Sequence, residues 1–193
     1  VVEAVPWITQ FSRERGLRYE PEADERWLRA WEPYVTLKSP LRYEHALLAT
    51  GATGSLTLAR LVVTGSGGQD ASAWIAITQD ERLSVRAAAT SDRASVFGEG
   101  LDLIPLPRRR TGDARFDAAF ASFAPEDADL ATGIGPSVRK LVMGWRAPLH
   151  LEVRQGGFVL APVALAANPA SLAWLVRAVE LFGEKAAKGA GRA

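Results

Sequence analysis

Leu149-His150-Leu151-Glu152-Val153-Arg154-Gln155-Gly156-Gly157-Phe158-Val159-Leu160-Ala161-Pro162 is the stretch that decides the fold. Leu149, Leu151 and Val153 alternate with His150, Glu152 and Arg154, the period of two expected of a strand with one buried face. Gln155-Gly156-Gly157 supplies the turn, because glycine reaches the positive φ that a tight hairpin demands. Phe158, Leu160 and Pro162 carry the return strand, with Phe158 and Leu160 on the same face as Val153. Pro162 has no N–H to give and belongs at a strand end or an edge.

Helical patterns flank this hairpin. Gly135-Pro136-Ser137 opens the first, and Val138, Leu141, Val142 and Trp145 then form one apolar stripe, with Gly144 as the expected stop. Asn168-Pro169 opens the second, which is expected to run to about Lys185. Leu172, Leu175, Val176, Val179 and Phe182 make its main stripe, widened by Trp174, Ala178 and Leu181. So broad an apolar surface is expected to be buried on more than one side, by its own domain in the favoured reading or else by a partner subunit. Trp174 and Leu181 are therefore the residues to watch for self-association into a homodimer.

Upstream stands Arg115-Phe116-Asp117-Ala118-Ala119-Phe120, then an acidic helix start at Pro125-Glu126-Asp127. Taken with the helix, hairpin and helix that follow, residues 115–182 resemble a domain of uncharacterised bacterial families that share a Phe-Asp-x-x-Phe signature and are often membrane-associated. The shared positions are hydrophobic and turn residues, so the resemblance implies a fold and carries no catalytic residue. Members of those families often have transmembrane helices. No apolar run here approaches the roughly 18 to 20 residues a span needs.

The remaining chain fits one domain. At 193 residues with 48% hydrophobic and 23% charged content, it is long enough for a sizeable core. A net charge of +1 gives no bulk electrostatic case for nucleic acid. The absence of cysteine removes disulfides, thiolate metal sites and cysteine nucleophiles. No basic-then-apolar leader pattern opens the chain, so a soluble, cytoplasmic protein is the expectation.

Residues 1–33 read as helical: Ala4, Trp7, Ile8 and Phe11 on one face up to Gly16, then a second helix from Pro21 carrying Trp27, Trp31 and Tyr34 as far as Pro33. Glu22 with Arg26 and Glu25 with Arg29 would be i,i+4 pairs on it. The aromatic stripe is expected to pack on a sheet. Residues 34–107 read as antiparallel strands. Tyr43–Thr50 and Ser55–Thr64 are joined at Gly51-Ala52-Thr53-Gly54, and Ala73–Thr78 with Leu83–Ala89 are turned at Gln79-Asp80-Glu81-Arg82. Gly65-Ser66-Gly67-Gly68 links the two pairs, and Leu103–Pro107 is extended. The predicted fold class is α+β: an antiparallel sheet of sequential hairpins over residues 1–185, with N- and C-terminal helices packed on it and a frayed tail at 186–193.

Motifs of known chemistry are scarce. The two glycine loops lack the Gly-Lys-Ser/Thr ending and precede strands, so they are a turn and a linker rather than phosphate cradles. His45 and His150 could ligate a metal with Glu44 or Glu152 only if their strands adjoined, and alternation puts Glu44 and His45 on opposite faces. No metal and no cofactor are expected. Glu126 and Asp127 suit a helix's first turn, and Asp117, between Phe116 and Phe120, suits a turn cap. Arg108-Arg109-Arg110 with Arg115 is the sharpest polar feature, a candidate site for an acidic protein partner or a small anionic ligand.

The favoured reading is a non-catalytic protein- or ligand-binding module. The alternative is a hydrolase built from scattered Asp, Ser, Arg and His. That alternative predicts His45 or His150 within hydrogen-bond reach of a carboxylate inside a deep pocket.

Overall fold

Leu149–Pro162 folds back on itself as read, with Val153 opposite Phe158 and Leu151 opposite Leu160. Its place in the architecture is the unexpected part. The computed structural model describes residues 2–51, 54–64, 68–91, 106–163 and 165–190. Within these, nine strands form one antiparallel sheet: β1 (Arg18–Glu22), β2 (Arg42–Gly51), β3 (Gly54–Thr64), β4 (Asp70–Gln79), β5 (Ala87–Ser91), β6 (Arg108–Arg109), β7 (Phe120–Phe123), β8 (Leu149–Arg154) and β9 (Gly157–Pro162). Their order is β1-β2-β3-β4-β9-β8-β5-β7-β6. The C-terminal hairpin therefore lies between β4 and β5, which were expected to pair with each other.

The reason is visible at the turn. Asp80 accepts from the backbone N–H and guanidinium of Arg82. Asp80 N donates to Gly156 O at 2.9 Å and Gly156 N to Leu83 O at 2.8 Å. Residues 80–83 are thus laced to the β8–β9 turn, and the chain peels away from β4 instead of returning along it.

Six helices accompany the sheet among the described residues: α1 (Pro6–Arg15), α2 (Glu25–Arg29), α3 (Ala114–Ala119), α4 (Asp127–Gly133), α5 (Pro136–Trp145) and α6 (Pro169–Ala190). α1 ends as predicted, at Gly16 with φ +64°. The helix expected from Pro21 does not start there. Residues 18–22 pair with β2 as an edge strand, where proline's missing N–H is tolerated, and α2 begins only after Asp24 caps Trp27 N. Of the two ion pairs expected on that helix, Glu25–Arg29 forms at 2.8 Å, whereas Glu22 belongs to β1. α5 passes Gly144 and stops where Arg146 takes the left-handed conformation. α6 continues beyond Lys185 to Ala190, so most of the expected frayed tail is helix. Residues 103–105 of the stretch read as extended, and residues 65–67 of the linker, lie outside the described residues.

Each face of the sheet has its own core. Leu47, Leu58, Trp74, Leu151, Val153, Phe158 and Leu160 pack under α1, α4, α5 and α6. On the other face Leu61, Val63, Ile75, Ile77, Val159 and Ala161 lie under Leu28 of α2 and under Tyr34 and Leu37. Residues Tyr34–Leu37 belong to no strand, yet all four are buried. They form a strap across the second face, and Arg29 holds its far end by donating to Leu41 O at 3.0 Å.

The two turn glycines of the hairpin have different reasons to be there. Gly156 has φ +81°, whereas Gly157 lies where a Cβ would stand 2.1 Å from Thr78 O and 2.7 Å from the Trp31 ring. Gly157→Ala should accordingly cost about 1–3 kcal/mol by forcing β4 and β9 apart. Urea denaturation would measure it, and an unchanged midpoint would mean the sheet yields freely there.

Candidate functional site

The polar face of β8 is not at the surface. His150 and Glu152 are fully buried beneath the strap, beside Thr36. Glu152 accepts from Val35 N at 2.9 Å and from the guanidinium of Arg154, with Arg86 at 3.9 Å. Arg154 also donates to Trp31 O at 2.6 Å and stacks over the Trp31 ring. Thr36 Oγ1 bonds His150 Nδ1. Nearby, Tyr43 OH donates to Glu32 Oε1 at 2.8 Å and receives from Tyr34 OH at 2.7 Å. Burial is the main reason both phenols are pushed well above the usual tyrosine range.

The expectation that β8 buries only one face is therefore corrected: a second layer of chain covers its polar side. His150 Nε2 lies 3.8 Å from Glu152 Oε2, near enough for an ion pair were the ring charged. Burial above all, and then the repulsion of Arg154, lower the imidazole to about 3, so it is neutral. Its Nε2 is buried without a hydrogen-bond partner. The open depression at the strap's edge, lined by Glu32, Pro33, Arg86 and Arg154 among others, does not reach His150 or Glu152.

His45 stands elsewhere. A bulge shifts the β2–β3 register between Glu44 and Leu47, and His45 sits in it with φ +52°. Its Nδ1 shares a 2.8 Å hydrogen bond with Tyr19 OH, and its Nε2 is 4.0 Å from Glu44 Oε2. Burial, helped by Arg60, lowers this imidazole too. Three strands separate β2 from β8, so at about 4.8 Å per strand the two histidines cannot share a metal. Neither reaches a carboxylate at hydrogen-bond distance.

The arginine run occupies the opposite end of the sheet. Arg108 and Arg109 form the edge strand β6 on β7. Arg109 turns inward: it donates to Ala124 O and Pro125 O and pairs with Glu126 and Asp127 at the start of α4. Arg108 and Arg110 remain exposed, with no ion pair among the described residues. They line an open depression of about 730 Å³ with Gly112, Asp117, Ala118 and Phe120. Asp117 caps the adjoining turn, accepting from Thr111 N at 2.9 Å, Thr111 Oγ1 at 2.7 Å and Gly112 N at 3.2 Å. Burial pushes its carboxyl upward, but these donors outweigh burial and leave it below the usual range.

Arg115, in the first turn of α3, lines a second depression, so the four predicted arginines divide between one anchor and two neighbouring hollows. Trp174 is half-buried edge-on against Trp145, ring centroids 5.6 Å apart, and Leu181 is half-buried. Leu41 is the one large hydrophobic residue classed as exposed among those described. The aromatic stripe divides likewise: Tyr34 is core, with Trp27 and Trp31 packed against it.

These features define an α+β domain: one antiparallel sheet, with α1, α4, α5 and α6 over one face and α2 with the strap over the other. The same fold is seen in the crystal structure of the mycobacterial trehalose monomycolate transport factor A, TtfA. The match has a TM-score of 0.65, covers 93% of this chain and 92% of that one, and shows 11% sequence identity. At that identity the likeness is one of fold alone. No family model and no curated protein matches the sequence. No helix among the described residues is long and apolar enough to cross a membrane.

Proposed function

We propose that this chain is a non-catalytic binding module that docks an acidic segment of a protein partner on its β6–α3 face. One observation carries the reading: Arg108 on the edge strand and Arg110 just beyond it are exposed and form no ion pair among the described residues, Arg110 having only the attraction of Asp117, while Arg109 between them is tied down. An edge that holds two exposed guanidinium groups beside an anchored third is suited to bidentate carboxylate contacts. The ionisable residues that do converge, His150 and Glu152, are sealed from substrate and spend their contacts on the strap. The fold it shares with a transport factor supports an auxiliary role exercised by association rather than by turnover.

Affinity capture from the native source with the wild-type chain, followed by titration of the purified partner, tests this. R108E/R110E should weaken the complex by at least about tenfold and flatten its salt dependence, with thermal stability unchanged. Equal affinity and an equal salt slope for the variant would overturn the reading.

A further inference from the structure

The second hollow has a composition that protein docking does not require. The outer flank of α5 presents Pro136, Arg139, Lys140, Met143 and Gly144 at helical spacing. Its inner residues Val138, Val142 and Trp145 face the core. With Arg146 at the helix end and Asp113 and Arg115 at the start of α3, they line a depression of about 430 Å³. Four cationic side chains thus face one carboxylate. That carboxylate is occupied: Asp113 Oδ1 accepts from Arg115 N at 3.1 Å and Phe116 N at 3.2 Å.

Arg139 is the member held from inside. Its side chain is 13% exposed, and Nη1 donates to Ile134 O at 2.9 Å. Its Nε is buried with no hydrogen-bond partner, the nearest carboxylate oxygen being Asp113 Oδ2 at 3.7 Å. Arg60, Arg86 and Arg154 have an unpartnered buried Nε too, so the hollow is marked by its exposed cations rather than by Arg139. Around it Arg115, Lys140 and Arg146 are exposed and make no ion pair among the described residues. From this we infer that the hollow beside α5 is a binding site for a phosphate group. A tetrahedral dianion offers enough acceptor oxygens to meet Arg115, Lys140 and Arg146 together, as a single carboxylate does not. Met143 and Pro136 leave room for a small apolar or polyol portion attached to the phosphate. The site stands on its own residues and needs none of those proposed for protein docking.

Gly144 provides a clean probe, because a Cβ there would meet nothing within 4 Å. The full chain should be titrated calorimetrically with glycerol 3-phosphate and with inorganic phosphate. It should also be floated with phosphatidylcholine vesicles with and without phosphatidylglycerol. At least one phosphate probe should bind saturably. Both the surface variant R115A/K140A/R146A and the blocking variant G144E should weaken that binding by tenfold or more, with thermal melts confirming that each is folded. R108E/R110E should bind phosphate like wild type, which separates this site from the docking face. Retention on anionic vesicles alone would identify a lipid headgroup as the source, and binding of the soluble phosphates would identify a free phosphorylated ligand. Binding that is absent for every probe, or indifferent to both variants, overturns the inference.

Discussion

Glu152→Ala should lower the unfolding free energy by about 3–5 kcal/mol, the range for breaking one side of a buried ion pair. The carboxylate is fully buried and accepts from Val35 N at 2.9 Å while pairing with Arg154. Removing it strands a backbone N–H and a largely buried guanidinium, and each loses an acceptor that water cannot easily replace. Arg154 keeps its bond to Trp31 O, which limits the loss on that side. Glu152→Gln should fall between wild type and alanine, since an amide oxygen can still serve Val35 N without the charge. Chemical denaturation of the three proteins measures the series. A loss below about 1 kcal/mol for alanine would show that the strap holds by its apolar contacts alone.

Acidification should destabilise the protein well above the range where carboxylates titrate. His150 is lowered to about 3 in the folded state, by burial and by Arg154, against an ordinary value near 6.5. Between those limits the unfolded chain binds a proton that the folded chain refuses, so stability falls as pH falls. Well below pH 6.5 the slope from this residue approaches about 1.4 kcal/mol per pH unit, a loss of roughly 3 kcal/mol by pH 4. His45, also lowered, adds in the same direction. Denaturation midpoints between pH 7 and pH 5 isolate the histidines from Asp80 and Asp117, whose depressed carboxyls matter only at lower pH. The variant H150L should remove most of the slope from that window. If the slope persists undiminished, His150 takes up its proton in the folded protein.

What could be read directly from the residues was whatever a short segment encodes by itself. The 149–162 hairpin, Gly16 as a helix stop, the turn capped by Asp117 and the start of α6 at Asn168 are of this kind, each fixed by neighbours a few positions away. The misreadings share one cause: distant chain supplied the missing partner. His150, Glu152 and Arg154 have the pattern of a solvent face, and nothing within β8 reveals that residues 31–37 cross it. Pro21 reads as a helix opener until β2 offers it an edge to lie along. At His45 one bulge residue reverses the alternation, so parity arguments valid before it fail after it. For the site, Arg108, Arg110 and Arg115 were legible as an unusual cluster. Arg109's inward anchoring and the contribution of Arg139, Lys140 and Arg146 from α5 depend on tertiary placement. The one signal pointing to the latter was the cationic flank of an otherwise apolar helix.

The position of β8 and β9 between β4 and β5 also bears on how the chain is made. A ribosome releases β1 to β4 long before the two strands that complete their sheet, so β4 waits with an unsatisfied row of backbone donors and acceptors. Closure then requires contacts some eighty residues apart, between Ala76 and Leu160 for example, which makes the last step slow relative to the local hairpins. The C-terminal third thus works as a keystone, and a nascent chain cut short before it would present two raw sheet margins to whatever chaperone or neighbour is near.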